Sequence, residues 1–292
     1  MTTFIPLTEL PRLDVLYGRV VAHTVDSFIV KRNDSLVLPE LGYRIDEVPF
    51  NSDQVEAYQH LMGEPGTDAV PPGAVHLLGF RLALKVMART DFPLRVLGMV
   101  HISNSVQQWS PLRIQDRVSL RAWAQNLAPH RSGTQVELVV EAERDGELAW
   151  RGVSTYLNRG RTLPGLGQAA PTDTAPTVLP EATASWRLPA DTGRAYARVS
   201  GDTNPIHRNA LTARLFGFRR AIAHGMYTAG RALATIGPTR GEAFSWTAEF
   251  RKPVFLPGTV SFGVDHHEHG YRYAGWAPDS DAIHFTGSVT AL

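Results

Sequence analysis

The sequence predicts an α+β chain in which a curved antiparallel sheet wraps one long buried helix, with that arrangement occurring twice. Three observations carry the prediction. Between Ala221 and Ile236 the apolar residues Ile222, Ala223, Met226, Ala229, Ala232, Leu233 and Ile236 cover most of a helical circumference. A helix that is apolar nearly all round must be buried nearly all round. Strand signals follow such a helix in each half, and the two halves share an ordered set of short matches.

In chain order, the first half places Ala57-Tyr58 and Gly63 ahead of an apolar helical stretch running from Val75-His76 to Met87-Ala88. Pro111–Leu120 then leads into period-two alternation at Val118, Leu120, Ala122 and Ala124. Runs over 134–144 and 147–157 flank Asp145-Gly146, a strong hairpin signal. The segment from Arg159 to Ala184 is dense in Gly, Pro, Ala and Thr and lacks either periodicity, so it reads as a linker. The second half repeats the order: Ala195-Tyr196 and Gly201, the helix from Ala223-His224 to Thr235-Ile236, then Pro253–Phe262. Strands are expected over 259–267, 271–276 and 282–290, separated by turns at Glu268-His269-Gly270 and Pro278-Asp279-Ser280-Asp281. Two domains, 1–160 and 185–292, are therefore expected on either side of a linker over 161–184.

Composition narrows the function classes. The 292 residues are 43% hydrophobic and 20% charged, which suits a globular chain. Lys plus Arg number 29 against 28 for Asp plus Glu, so overall charge gives no case for nucleic acid or an anionic membrane as partner. Cysteine is absent, which removes disulfides, thiolate metal sites and cysteine nucleophiles. No signal peptide is evident, and no run approaches the roughly 18 apolar residues of a membrane span. The chain reads as soluble and cytoplasmic.

The sharpest local feature is Ser200-Gly201-Asp202-Thr203-Asn204-Pro205-Ile206-His207. Gly201 permits a turn that a side chain would obstruct, and Asn204-Pro205 starts turns readily. Asp202 and His207 are too far apart for one helical face, but a tight turn brings a carboxylate and an imidazole to one point. Such a pair holding one water is a general acid–base device. The structural alternative is that Asp202 caps a turn and His207 packs beside it.

These residues resemble the hydratase signature of the MaoC-like, R-specific enoyl-CoA hydratases of the hot-dog fold. Ala223-His224-Gly225-Met226 resembles that family's entry to its central helix. Phe250-Arg-Lys-Pro253-Val-Phe-Leu-Pro257-Gly258-Thr259-Val260 resembles its strands after the helix. The resemblance covers about 185–292, and the first half is similar to the degenerate repeat of double hot-dog members. It implies that Asp202 and His207 activate the water added to a trans-2-enoyl thioester, that Asn204 orients them, and that the Gly225 N–H donates to the thioester oxygen. Ser200, Gly201, His224, Met226, Arg251 and Lys252 are expected to line the substrate. No metal or redox cofactor is expected, and the substrate is an acyl-CoA or acyl-carrier-protein thioester. Monomer and homodimer are both open.

Other features rank below this one. The first half has Glu64 where the second has Asp202, but Ala69 where it has His207, so one active site per chain is expected. His266, His267, Glu268 and His269 read as a solvated hairpin tip, and His76 and His101 as structural or at the interdomain surface. Arg219-Arg220, like Arg251-Lys252, suits contact with CoA phosphates or plain solvation. Gly-x-Gly-x-x-Gly and Gly-x-Ser-x-Gly are both absent, which leaves dinucleotide binding and serine-esterase chemistry unsupported. Two other functions stay open beside hydration: thioester hydrolysis on the same fold, and acyl-thioester binding without catalysis.

Overall fold

The structure is a computed structural model that describes residues 2–20, 36–169, 177–280 and 282–292. The described strands begin with β1 (Thr3–Pro6), β2 (Leu41–Pro49) and β3 (Val100–Gln108), then β4 (Arg117–His130), β5 (Gly133–Arg144) and β6 (Glu147–Arg159). They continue with β7 (Ala184–Leu188), β8 (Phe244–Phe250), β9 (Gly258–His267), β10 (Gly270–Trp276) and β11 (Ile283–Ala291). The helices used below are α1 (Ser52–Met62), α2 (Pro72–Met87), α3 (Thr192–Ser200), α4 (Ala210–Arg214) and α5 (Gly225–Ile236). No helix among the described residues is long and apolar enough to cross a membrane.

Contacts divide the chain into two compact units. The first comprises Met1–Pro49, Val75–Ile102 and Asp116–Ala175. Its sheet runs β1-β2-β4-β5-β6, with β1 parallel to β2 and the remaining pairs antiparallel. The β5–β6 hairpin turns at Asp145 (φ 54°) and Gly146 (φ 82°), the two positive φ angles that this tight turn demands. Helix α2 lays Leu78, Leu82 and Val86 in the core. Gly79 sets its distance from the sheet, because an added Cβ would fall on Val140 of β5. His76 stacks between Phe80 and His101, and His101 stacks on Tyr156 at 4.6 Å, so both imidazoles serve as packing rings, His76 buried and His101 partly so.

The second unit comprises Phe50–Ala74, Ser103–Gln115 and Pro176–Leu292. Its antiparallel sheet runs β3-β8-β11-β10-β9-β7. Helix α5 is buried along Tyr227, Ala229, Gly230, Ala232 and Leu233. Tyr58 of α1 fits its hydroxyl into the space left by Gly73 and Gly230, where any Cβ would strike it. The two helices that the repeat matched therefore both serve this unit. Helix α1 ends at Gly63 (φ 79°, ψ 25°) and α3 at Gly201 (φ 73°, ψ 0°), the same left-handed stop. Gln54 of α1 donates to the Val199 carbonyl of α3 at 2.7 Å.

Two expectations need revision. The central helix starts at Gly225 rather than Ala221, because Ala221–Ala223 is extended: Ile222 bridges Phe255 and the Ala223 N–H donates to Val254 O. The units also do not follow the expected cut at 160, since residues 50–74 and 103–115 pack with the second half. Part of the expected linker, 170–176, lies outside the described residues.

Candidate active site

Helix α3 stops because Gly201 adopts the left-handed conformation. Three side chains then fold the chain back on itself in steps of two residues. Ser200 Oγ accepts from the Asp202 N–H (3.1 Å), Asp202 Oδ1 from the Asn204 N–H (3.0 Å), and Asn204 Oδ1 from the Ile206 N–H (3.4 Å). These are side-chain turns of the kind that short polar residues favour. Pro205 then opens a single 3₁₀ turn, Pro205–His207. With Oδ1 committed to the loop, Asp202 presents Oδ2 to the interior, 3.7 Å from Nε2 of His224.

His207 is nine-tenths buried, and its Nδ1 lies 2.8 Å from the Ile222 carbonyl oxygen. A carbonyl only accepts, so Nδ1 carries the proton and Nε2 keeps the lone pair. Burial lowers the His207 pKa against the opposing pull of Asp202 and the Ile222 hydrogen bond. The ring is thus a neutral base near pH 7. His224 is more deeply held, only 3% exposed, with its ring 3.6 Å from that of His207 and 4.7 Å from that of Tyr196. Burial first, then the neighbouring His207, pushes its pKa down to about 3.

The donor atoms of Asp202, His207 and His224 all lie within 4.8 Å of one another. One water making two bonds of about 2.8 Å spans such a gap. A metal ion suits the trio poorly. Imidazole lone pairs lie in the ring planes, and these two stacked planes differ by only 24°, so they cannot both aim at an ion about 2.1 Å away.

The remaining expected residues separate into those that build the site and those that do not meet it. Asn204 sits behind Asp202 and holds the turn. Gly225 is the first residue of α5, where its N–H has no acceptor within the helix. An added Cβ there would come 2.9 Å from the Phe250 ring, so packing against Phe250 requires this glycine. Ser200 and Met226 are buried, and the Ser200 hydroxyl is used by the loop. Arg251 is exposed and engaged with Thr177 and Glu249; Lys252 is exposed beside it. His266 and His267 occupy successive positions of β9 and so point to opposite faces. Glu64 is not a stray carboxylate: it pairs with Arg240 at 3.3 Å in a nearly buried contact.

Two contributors were not legible in the sequence. The Ile222 carbonyl fixes the His207 tautomer, and Gly193 on α3 leaves room for the His207 backbone, since a Cβ there would fall on its carbonyl oxygen. Gly193→Ala should therefore displace the turn that carries His207, lowering turnover at least about tenfold while thermal unfolding of the whole chain shifts little. Activity and melting measured on the same preparation check this.

The two imidazoles also set an acid limit on stability. In the unfolded chain each takes a proton near 6.5, whereas the folded site refuses it to lower pH, near 3 for His224. Folding is then opposed progressively as pH falls below about 6.5. Denaturant midpoints should decline from pH 6.5 toward 4, and His224→Phe should flatten that decline.

Residues 169–273 match the MaoC like domain family. The chain is 35% identical over 264 residues to 3-hydroxyacyl-thioester dehydratase X of Mycobacterium tuberculosis, covering 90% of this chain and 93% of that protein. The crystal structure of HtdX from Mycobacterium tuberculosis superposes with a TM-score of 0.77 at 31% identity, over 86% of this chain and all of that one. A MaoC-like dehydratase from Phytophthora capsici shares the fold at TM-score 0.70 and 18% identity, over 90% and 98% of the two chains. A further Mycobacterium tuberculosis protein, described as a double hot-dog, shares it at TM-score 0.51 and 15% identity, over 86% and 96%.

Proposed function

We propose, because this chain belongs to the MaoC-like dehydratase family, that it adds water to a trans-2-enoyl thioester and removes it from the (R)-3-hydroxyacyl thioester in reverse. It is a hydro-lyase of the double hot-dog fold. The observation that carries the reading is the grouping of a carboxylate with two imidazoles, Asp202, His207 and His224 presenting atoms within 4.8 Å of one another, while the bond from His207 Nδ1 to Ile222 leaves Nε2 as the basic nitrogen.

In hydration, His207 Nε2 takes a proton from that water as its oxygen bonds to C3. The C2–C3 π electrons move into the thioester as an enolate, and C2 then receives a proton from the same acid–base pair. Asp202 holds the water and faces the imidazolium while it exists. The Gly225 N–H, at a helix N-terminus, stabilises the enolate oxygen. R configuration at C3 is what the family resemblance implies. The first repeat lacks a counterpart of His207, and its Glu64 is bound to Arg240, so a single site per chain is proposed.

Crotonyl-CoA separates this reaction from the others. Loss of conjugated-enoyl absorbance with an (R)-3-hydroxybutyryl product supports hydration, free thiol means hydrolysis, and binding without either means a non-catalytic role. The acid limb of kcat/KM should fall below the ordinary histidine value of about 6.5, since burial keeps His207 neutral to lower pH. A limb above 6.5 would exclude His207 in this form as the base.

A further inference from the structure

The chain leaves the Pro205–His207 turn at Arg208 and returns at Ile222, and this excursion is bonded to the turn at both ends, to His207 itself only through Ile222. Thr212 Oγ1 donates to the Pro205 carbonyl at 2.7 Å, the Ile222 N–H donates to Ile206 O, and the Ile222 carbonyl accepts from His207 Nδ1. Its outer surface is unusual. Leu211 on α4 and Leu215, the residue that caps its C-terminus, are 73% and 79% exposed. Arg208, Arg214, Arg219 and Arg220 surround them in sequence and are exposed too. Arg219 and Arg220 both lie over the Phe255 ring, at 4.5 and 5.4 Å, which gathers two guanidiniums at one place.

Charge on this part of the chain is one-sided. From Arg208 to Ala221 there are four arginines and no acidic residue, in a protein whose totals are 29 basic and 28 acidic. A segment that exposes two leucines and four arginines and carries no carboxylate is complementary to an acidic protein surface carrying a few apolar side chains. The paired guanidiniums of Arg219 and Arg220 would suit a phosphate as well, but two projecting leucines have no use on a free nucleotide carrier.

We propose that the 208–221 excursion is the docking surface for an acidic carrier protein that delivers the acyl group on a phosphopantetheine thioester. This rests on the thioester reading above. Docking there brings the carrier next to the turn that holds His207, because the excursion begins one residue after His207 and its far end, Ile222, bonds to that ring. The arginines steer the encounter, and Leu211 and Leu215 supply the apolar contact.

The test compares one acyl group on three carriers: crotonyl N-acetylcysteamine, crotonyl-CoA, and a bacterial acyl carrier protein loaded with crotonyl-phosphopantetheine. In Leu211→Asp/Leu215→Asp, and separately in Arg214→Glu, kcat/KM on the carrier-protein substrate should fall at least tenfold relative to that on crotonyl N-acetylcysteamine. Binding of the unacylated carrier protein to wild type, read by calorimetry, should weaken in parallel and with rising salt. Equal losses on all three substrates, no loss on any, or a loss confined to crotonyl-CoA would overturn the assignment. So would a change of oligomeric state in the leucine variant, which would make the patch a self-contact. Carrier-protein binding without turnover of any substrate would instead sink the thioester chemistry and leave the docking surface standing.

Discussion

His207→Gln should lower crotonyl-CoA hydration at least about 100-fold, the scale on which a general base acts, while far-UV circular dichroism and the melting transition stay near wild type. The reason is specific to the geometry. Glutamine can still donate to the Ile222 carbonyl, which the ring nitrogen Nδ1 meets at 2.8 Å, so the turn keeps its anchor. What it lacks is a basic nitrogen at the position of Nε2. Asp202→Asn should cost a similar factor for a complementary reason: Oδ1 is already occupied by the Asn204 N–H, so the amide keeps the loop but loses the charge facing the imidazoles. Wild-type-like turnover from either variant would refute the assigned pair.

The second large effect is on stability. Glu64→Ala should destabilise the fold by about 3 kcal/mol, read as a lower denaturant midpoint at unchanged slope. Glu64 and Arg240 meet with side chains only 6% and 13% exposed, and removing one leaves the other charged and shielded from water. The loss sits at the lower end for buried pairs because Arg240 still donates to the Gly237 and Leu233 carbonyls. Glu64→Gln keeps an acceptor and should cost less. Turnover per folded molecule should change little in either variant; a large loss would mean that the first repeat takes part in catalysis.

How much of this the sequence discloses depends on the range of the interactions. The Ser200–His207 turn was readable because its side-chain bonds span two residues each: a glycine stop, with Ser200, Asp202 and Asn204 each capping the backbone just ahead. The β5–β6 hairpin was readable for the same reason. The Glu64–Arg240 pair joins residues 176 apart, and the His207–His224 stack depends on Ile222 bridging Phe255, so neither has a local signature. That bridge also explains the late start of α5: Ile222 and Ala223 have helix-compatible side chains, but their backbone is committed to the segment carrying Val254 and Phe255.

The two helices with matching left-handed stops have a practical bearing on how this gene can be divided. The proline-rich stretch invites a cut there, yet a fragment beginning at residue 177 would forfeit α1, with the tyrosine that fills the gap at Gly230, and would forfeit the strand lying beside β8. Its raw sheet edge would then be open to pairing with other chains. Truncation would yield an aggregating remnant instead of a minimal enzyme, and any shortened version must keep residues 50–74 and 103–115.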